Sequence, residues 1–502
     1  MTKHLDIDTK AMRAKILDLA IRGKLTDQRQ EDGNARDILK EIQAEKEKLI
    51  KEKKIKKEKP LPEITEEEKP FDIPENWEWV RLGNLTSKVG SGNTPKGGKN
   101  SGVYKESGVE FIREMNVYND GLHYDGMVYI SNELAKTRTG SAVVAGDILL
   151  NITGGSIGRC ALVPDNFVLG NVNQHVLIIR NIVASLREYI HLVLCSPLVQ
   201  RYINNSAVGD KAGLSASKTK GFVIPLPPLA EQYRIADKIS ALFAQLDAID
   251  KAYEEYRELQ QTMKAKLLEL AMQGKLTDQR KEDGDARDLF QDIQEEKQRL
   301  IAEKKIKKEK PLPEIEADEI PFEIPTNWMW VRLGDLGAPI QYPFADGPFG
   351  SNLKKEHYTT NREVRIIQLS NIGENGWRDE NVKYTTFEHL KLISRSEVNP
   401  GDIVIAKMMP AGRAIIVPDK DPKYVLSSDA VKFVPNKHLY LPFVINCINS
   451  PVFQNQVTAN VQGTTRKRTS LSKLKNCLFP IPPLAEQKRI VSKLDKLLSL
   501  EI

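Results

Sequence analysis

The residues with the widest chemical reach in this sequence are cations set in glycine-rich stretches. The first half carries "GNTPKGGKNSGVYK" with Lys96, Lys99 and Lys105, then Arg113, "KTRTG" with Lys136 and Arg138, Arg159, and "GDKAGLSASKTKG" with Lys211, Lys218 and Lys220. The second carries "DGPFGSNLKKEHY" with Lys354 and Lys355, then Arg378, Lys407, Arg413, and "GTTRKRTSLSK" with Arg466, Lys467, Arg468 and Lys473. Loops of Gly, Asn, Ser and Lys bring backbone amides and long cations close to phosphates and base edges. These residues are therefore the expected nucleic-acid contacts. For each one the competing reading is a solvated surface charge. The clusters after Gly209 and Gly463 stand out because they occupy equivalent places in the two halves.

Bond-making chemistry has no matching constellation. The stretch "GSGNTPKGGKN" lacks the GK[ST] ending of a phosphate loop. There is no F-x-G-x-G cofactor loop. There is no Asn- or Asp-Pro-Pro-aromatic tetrapeptide, which amino-methylating enzymes need; the Pro-Pro pairs here precede leucine. Asp402 and Lys407 in "GDIVIAK" faintly suggest a nuclease site, but no acidic residue precedes the lysine at the required spacing, and the other half reads "GDILLNI". The seven histidines show no HExxH or paired spacing, and His123 and His175 are read as structural. The four cysteines (Cys160, Cys195, Cys447, Cys477) lie far apart with no CxxC pair. No metal site or disulfide framework is expected, and a reducing cytoplasm fits.

The elements that must hold these cations come as a duplicated scaffold. The chain has 502 residues, too many for one ordinary domain, and a net charge of +6. Asn76–Leu226 holds 15 basic and 11 acidic residues, and Asn327–Pro480 holds 20 and 13. Those two blocks therefore contribute +4 and +7, and the remainder −5. Two basic blocks joined by mixed-charge sequence point to a polyanion. The opening "MTKHLDIDTK" has no apolar core, so no signal peptide is expected, and no apolar run is long enough to span a bilayer.

The stretch "MRAKILDLAIRGKLTDQRQEDGNARDILKEIQAEKEKLIKEKKIKKEKPLPEI" from Met12 returns from Met263 as "MKAKLLELAMQGKLTDQRKEDGDARDLFQDIQEEKQRLIAEKKIKKEKPLPEI", and the match runs on through "FDIPENWEWVRLGNL" and "FEIPTNWMWVRLGDL". These last phrases are expected to seat the linker on the domain core. Beyond them the halves diverge on a surviving skeleton. "VEFIREMNV" stands against "VRIIQLSNI", "AGDILLNITGGSIGRCALVP" against "PGDIVIAKMMPAGRAIIVP", and "CSPLVQRYI" against "NSPVFQNQV". Alternating apolar residues and Gly/Pro/Asn turns predict variable domains that are largely β or α+β.

Each variable domain ends in a shared phrase, "PLPPLAEQYRI" or "PIPPLAEQKRI". After the first, apolar residues fall at Ile235, Ile239, Leu242, Leu246, Ile249, Tyr253, Tyr256, Met263, Leu267 and Leu270, with Gln260 in the seam. That 3.5-residue period predicts a coiled-coil helix from about Leu229 to Met272, roughly 65 Å long, stopping at Gly274. Ile490, Leu494 and Leu497 repeat the start of this seam, and Leu5, Met12, Ile16 and Leu19 continue it. The chain therefore reads as a circle of two halves opened inside one helix. The expected fold is α+β, two globular domains joined by long helices in an antiparallel coiled coil with a pseudo-twofold internal repeat. The expected boundaries are a helical region and linker over 1–75, a variable domain over 76–226, a central helical region and linker over 227–326, a second variable domain over 327–480, and a terminal helix over 481–502.

These features resemble the specificity subunit of type I restriction–modification systems. The resemblance rests on the two "PPLAEQ" phrases, on the "GNTP" loop with "FIREMNV", on "DGPFGSNLK" with "IIQLSNI", and on the "GR" turns at Gly158–Arg159 and Gly412–Arg413. It covers essentially the whole chain. It implies that each variable domain is a target-recognition domain reading one part of a split double-stranded DNA site, and that the helices set the spacer. It implies two methylation subunits docked on the helices, and restriction (motor) subunits as further partners. S-adenosylmethionine, ATP and Mg belong on those partners, with adenine N6 methylated and no catalysis by this chain. Two alternatives remain at this point: a non-catalytic coiled-coil adaptor, or the DNA-recognition part of a methyltransferase lacking restriction.

Overall fold

The computed structural model of the chain describes residues 7–95, 102–206, 213–408, 410–459 and 468–499. Its contacts divide it into two compact units that part between Tyr253 and Glu254, inside one helix, Leu229–Met272. Among the described residues no helix is long and apolar enough to cross a membrane.

The first unit opens with the helix Thr9–Ile21, capped by Asp8, whose carboxylate accepts from the Ala11 amide at 2.8 Å. Its end is fixed by Gly23, at φ +65°. The Gly23 amide donates to the Ala20 carbonyl and the Lys24 amide to the Leu19 carbonyl, a Schellman closure. A Cβ on Gly23 would stand 2.5 Å from Pro74 Cγ, so the residue is also fixed by close approach. Gly274 ends the long helix in the same way, at φ +69°, as its place in the sequence predicts.

Thr9–Ile21 runs antiparallel to the first half of the long helix. Thr9 donates to Asp250 at 2.8 Å, and Arg13 pairs with Asp247 at 2.7 Å. Further along, Thr26 and Gln28 reach Glu231. The buried face differs from the expected seam by one position. Leu17, Ala20 and Ile21 are buried while Met12 is exposed, and at the other end of the long helix Leu268, Ala271 and Met272 are buried in preference to Leu267 and Leu270. The reason is that these helix ends pack on more than one partner. Leu17, Ala20 and Ile21 share a core with Ile235 and Ile239 and also with Tyr189, Ile190 and Val193 of the helix Arg187–Cys195.

The variable part of the first unit is built on two four-stranded sheets. In one, Thr86–Ser91, Val176–Asn181, Ile148–Asn151 and Cys160–Leu162 follow one another, all antiparallel. In the other the order is Val128–Ile130, Val109–Ile112, Gly170–Val172, Ala142–Val143, with a parallel pair at the centre. A two-stranded ribbon, Glu78–Arg81 against Val223–Leu226, joins this part to the scaffold. The second unit repeats the scheme. Phe344–Asp346, Ala430–Phe433, Ile403–Ala406 and Ala414–Ile416 form one sheet. Tyr384–Thr385, Val364–Ile367, Lys423–Leu426 and Glu397–Val398 form the other, again with a parallel centre. The mixed helix-and-sheet fold and the internal repeat agree with the sequence reading.

The "PPLAEQ" phrase is a buried socket. Glu231 is 0% exposed and accepts from Trp77 Nε1 at 2.8 Å, Thr26 Oγ1 at 3.0 Å and Gln28 Nε2 at 2.6 Å. Gln232 Nε2 donates to the Pro227 carbonyl at 2.9 Å, fixing the diproline turn. Glu486 has the same three donors, Trp328, Thr277 and Gln279, and Gln487 the same carbonyl, Pro482. The "GKLTDQ" turn and the tryptophan of the domain thus close on one carboxylate in each unit. Arg234 adds a fork to Asp32, and Arg489 one to Asp283.

Hydrogen bonding from Arg234 holds the Asp32 carboxyl below its usual value of 3.8, against the cost of burial. A lowered acid contributes stability that is complete above the unfolded value and is lost as pH falls through the folded one. Arg234→Met is therefore expected to flatten the loss of stability on acidification below about pH 4, as measured by denaturant unfolding.

The linker is seated as the sequence predicts. Arg81 of "NWEWVRLG" is buried, forks Glu68, and donates to the carbonyls of Pro62, Glu63 and Gly221. Arg332 repeats this with Glu319, Pro313, Glu314 and Asn476.

Candidate nucleic-acid interface

In each unit a glycine lets a loop cross a neighbouring strand end at close range. Gly92 follows the strand Thr86–Ser91, and a Cβ there would lie 1.8 Å from the Val172 carbonyl oxygen. Gly347 follows Phe344–Asp346, and a Cβ there would lie 1.7 Å from the Ser427 oxygen. Both crossings are hydrogen-bonded, Gly92 to the Asn173 carbonyl and Gly347 to the Ala430 carbonyl, each at 3.1 Å.

A buried asparagine braces a hairpin beside each crossing. Asn116 accepts from the Arg113 amide and donates to the carbonyls of His123 and Asp125. Asn371 accepts from the Gln368 amide and donates to the carbonyls of Arg378 and Glu380. These are the asparagines of "REMN" and "QLSN". The hairpins they hold turn at Gly121, φ +134°, and Gly376, φ +112°.

Around this common frame the side chains differ. In the first unit Asn173 donates to Glu114 Oε2 and Asn151 to the Glu114 carbonyl, both at 2.8 Å. His175 Nδ1 lies 2.6 Å from Thr153 Oγ1, and the Thr94 amide donates to Gln174. Arg138 reaches Asn93. In the second unit Lys407 donates to Asp346 at 2.7 Å, its amide to the Asp429 carbonyl, and Arg468 pairs with Asp429. A cavity of about 340 Å³ opens there, lined by Pro348, Gly350, Gln368, Ser370, Ser427 and Asp429 among others. Amides and an imidazole offer both donors and acceptors to base edges, whereas the lysine and arginine pairs offer charge.

The expected contact residues fall into several groups. Lys96, Lys99, Lys211, Arg466 and Lys467 lie outside the described residues. Arg113, Arg138 and Arg468 sit at the loop clusters. Arg113 donates to the Gly126 carbonyl at 2.6 Å. Lys105, Lys136, Lys218, Lys355 and Arg378 are exposed, as is Lys354, which lies 3.6 Å from Glu356. Lys473 sits in the last turn of the short helix Leu471–Asn476.

Two of these residues have carboxylate partners within the fold. Lys220 is half-buried against Glu58 of the linker at 2.5 Å, and Lys407 is 9% exposed and held by Asp346. Both serve the fold in this structure; loop composition alone could not reveal a partner distant in sequence. The "GR" arginines also have local roles. Arg159 stacks over Tyr118 at 4.4 Å, and Tyr118 stacks on His123. Arg413 lines a cavity with Lys264 and Asn375. Sequence reasoning passed over Glu114, Asn151 and Asn173, for which uncharged or acidic side chains gave no signal.

A model of the family described as the type I restriction modification DNA specificity domain matches residues 74–256 and again 325–502. The chain belongs to this family. Two of its relatives are from Escherichia coli. The type I restriction enzyme EcoEI specificity subunit is 28% identical, over 97% of this chain and 88% of the relative. The EcoAI specificity subunit is 29% identical, over 97% and 89%. A solved structure described as the structural basis of complex assembly and conformational transition of the type I R-M system is 18% identical. It covers 86% of this chain and 92% of its own, with a TM-score of 0.54, and so shares the fold. As a DNA specificity protein, the chain supplies target recognition and not catalysis. Each matched segment contains one crossing glycine, one braced hairpin and one "PPLAEQ" socket.

Proposed function

We propose that each unit reads one half of a split double-stranded DNA target, that the helices set the spacer, and that two methylation subunits dock on them, with restriction subunits joining the same cytoplasmic assembly. S-adenosylmethionine, ATP and Mg act on those partners. The observation that carries this reading is the repeated frame with unlike linings. Crossing glycine and braced hairpin recur in both units, while the polar groups beside them differ, which suits two readers of two sequences. The contacts are assigned to Arg113, Lys105, Lys136, Arg138 and Lys218 in one unit and to Lys354, Lys355, Arg378, Arg468 and Lys473 in the other, together with Lys96, Lys99, Lys211, Arg466 and Lys467, which are assigned from the sequence. Methylome sequencing of a host carrying the chain and its methylation partner tests this. A bipartite modified site supports it, and a continuous site or none refutes it.

The ruler part of the proposal has its own test. Inserting one four-residue step in each long helical arm adds about 6 Å, at 1.5 Å per residue. The modified site is expected to gain on the order of one or two base pairs of spacer while both half-sites keep their sequence, the axial rise of DNA being about 3.4 Å per pair. A changed half-site with an unchanged spacer counts against the ruler.

A further inference from the structure

Two cysteines that stand 35 positions apart in the sequence meet in the first unit. Cys160 begins the strand Cys160–Leu162, and His191 and Cys195 lie one turn apart on the same face of the helix Arg187–Cys195. One donor atom from each of the three lies within 4.8 Å of the other two, the only such grouping among the described residues. His191 Nε2 is 3.7 Å from Cys195 Sγ and 3.0 Å from the Cys160 carbonyl oxygen. Cys160 is fully buried, while His191 and Cys195 keep partial exposure.

The second unit closes the same joint differently. By the repeat, Ala414 stands for Cys160, Ile445 for His191 and Asn449 for Cys195. There the Asn449 side chain accepts from the Ala414 amide and donates to the Ala414 carbonyl, both at 2.9 Å, and this amide clamp ties helix to strand. In the first unit the Cys160 amide is satisfied by Asn119 instead, which leaves two sulfurs and an imidazole facing one another at the joint.

We propose that Cys160, His191 and Cys195 bind one thiophilic divalent cation of the zinc class, which pins helix to strand in the first unit where an asparagine does so in the second. Two sulfurs and one imidazole are the donor set that zinc favours, and three protein ligands leave a fourth position for water on the partly exposed side. Binding releases the two thiol protons to solvent. The neutral imidazole moves its proton to Nδ1 and gives the Nε2 lone pair to the metal. The dication with two thiolates is then neutral, which a largely buried site requires. No electrons are transferred.

The test uses the full chain purified under reducing conditions without chelator. Elemental analysis is expected to find about one zinc per chain, matching one three-ligand site. Cobalt(II) added to the metal-free chain should give a thiolate charge-transfer band, and zinc should raise the unfolding midpoint of the first unit. Cys195→Asn copies the clamp of the second unit, so it should stay folded while losing the metal and the cobalt band; His191→Ala should weaken both. Wild-type metal content no higher than that of Cys195→Asn, with no cobalt band, overturns the proposal. So does a Cys160–Cys195 disulfide whose reduced form takes up no cobalt.

Discussion

Glu231→Ala is expected to unfold the first unit at denaturant concentrations where the second remains folded, and Glu486→Ala to do the reverse. The physical basis is the count of donors around each carboxylate. Removing the Glu231 side chain orphans Trp77 Nε1, Thr26 Oγ1 and Gln28 Nε2 together. Trp77 is buried, Thr26 half-buried and Gln28 exposed, so Trp77 carries most of the cost. A buried donor left without a partner costs roughly 1–3 kcal/mol, so the total is on the order of 2–4 kcal/mol, a large share of a domain's stability.

Glutamine at the same position is expected to cost far less, under about 1 kcal/mol. Its oxygen can accept from Trp77, and its amide can donate to the Thr26 hydroxyl and to the Gln28 carbonyl after that amide turns over. The charge also carries a penalty, since burial pushes the Glu231 carboxyl above its usual value. For an acid raised in this way the folded state holds more protons than the unfolded one, so stability falls as pH rises through the interval between the two values. Glu231→Gln should lack that slope. Hydrogen exchange resolved by unit distinguishes these results, because a single unfolding curve averages two units. Equal protection of both units in Glu231→Ala would show that the socket does not hold the first one.

The duplication made most of the architecture readable. Two copies at a constant offset fixed the ends of the long helix, and Gly274 stops it as Gly23 stops its counterpart because the same closure is written twice. The linker seat was readable as well, since "NWEWVRLG" recurs where the chain must return to the domain. The meaning of "PPLAEQ" was not. A glutamate in a helical phrase looks like a solvated charge until its donors arrive from far along the chain, Thr26 and Gln28 in the scaffold turn 205 and 203 positions away and Trp77, just before the strand ribbon, 154 positions away. The seam shifted by one residue for a related reason. A 3.5 period records one partner, whereas Leu17 and Leu268 answer to a helix and a domain core together. In the candidate interface, composition pointed to lysine and arginine, and it could not show that Lys220 and Lys407 already had carboxylates. Nor could spacing show that Cys160 meets Cys195, since a strand and a helix bring them together.

The crossing glycines were present in the quoted loops but carried no weight as residues, and they support the largest functional expectation. Gly92→Ala would put a Cβ 1.8 Å from the Val172 carbonyl oxygen, and Gly347→Ala one 1.7 Å from that of Ser427. Neither obstacle is the tip of a flexible side chain; both are backbone at the end of an inner strand of a sheet, so the loop must move. In the first unit that displaces Asn93 and Thr94, and with them their contacts to Arg138 and Gln174. Each variant should therefore lose recognition through one unit and keep the other. If the displaced loop serves even two base pairs at about 1–3 kcal/mol each, modification of the intact target should fall on the order of 100-fold. The measurement is methylation of a library of DNA sites by the variant with its partner subunit, beside circular dichroism to show that the fold is kept. Gly92→Ala should relax the sequence requirement at one half-site only, and Gly347→Ala at the other, because each crossing belongs to a unit with its own core and its own socket. A folded Gly92→Ala protein with an unchanged target at both halves would place DNA reading on a different face of the unit, away from the crossing loop.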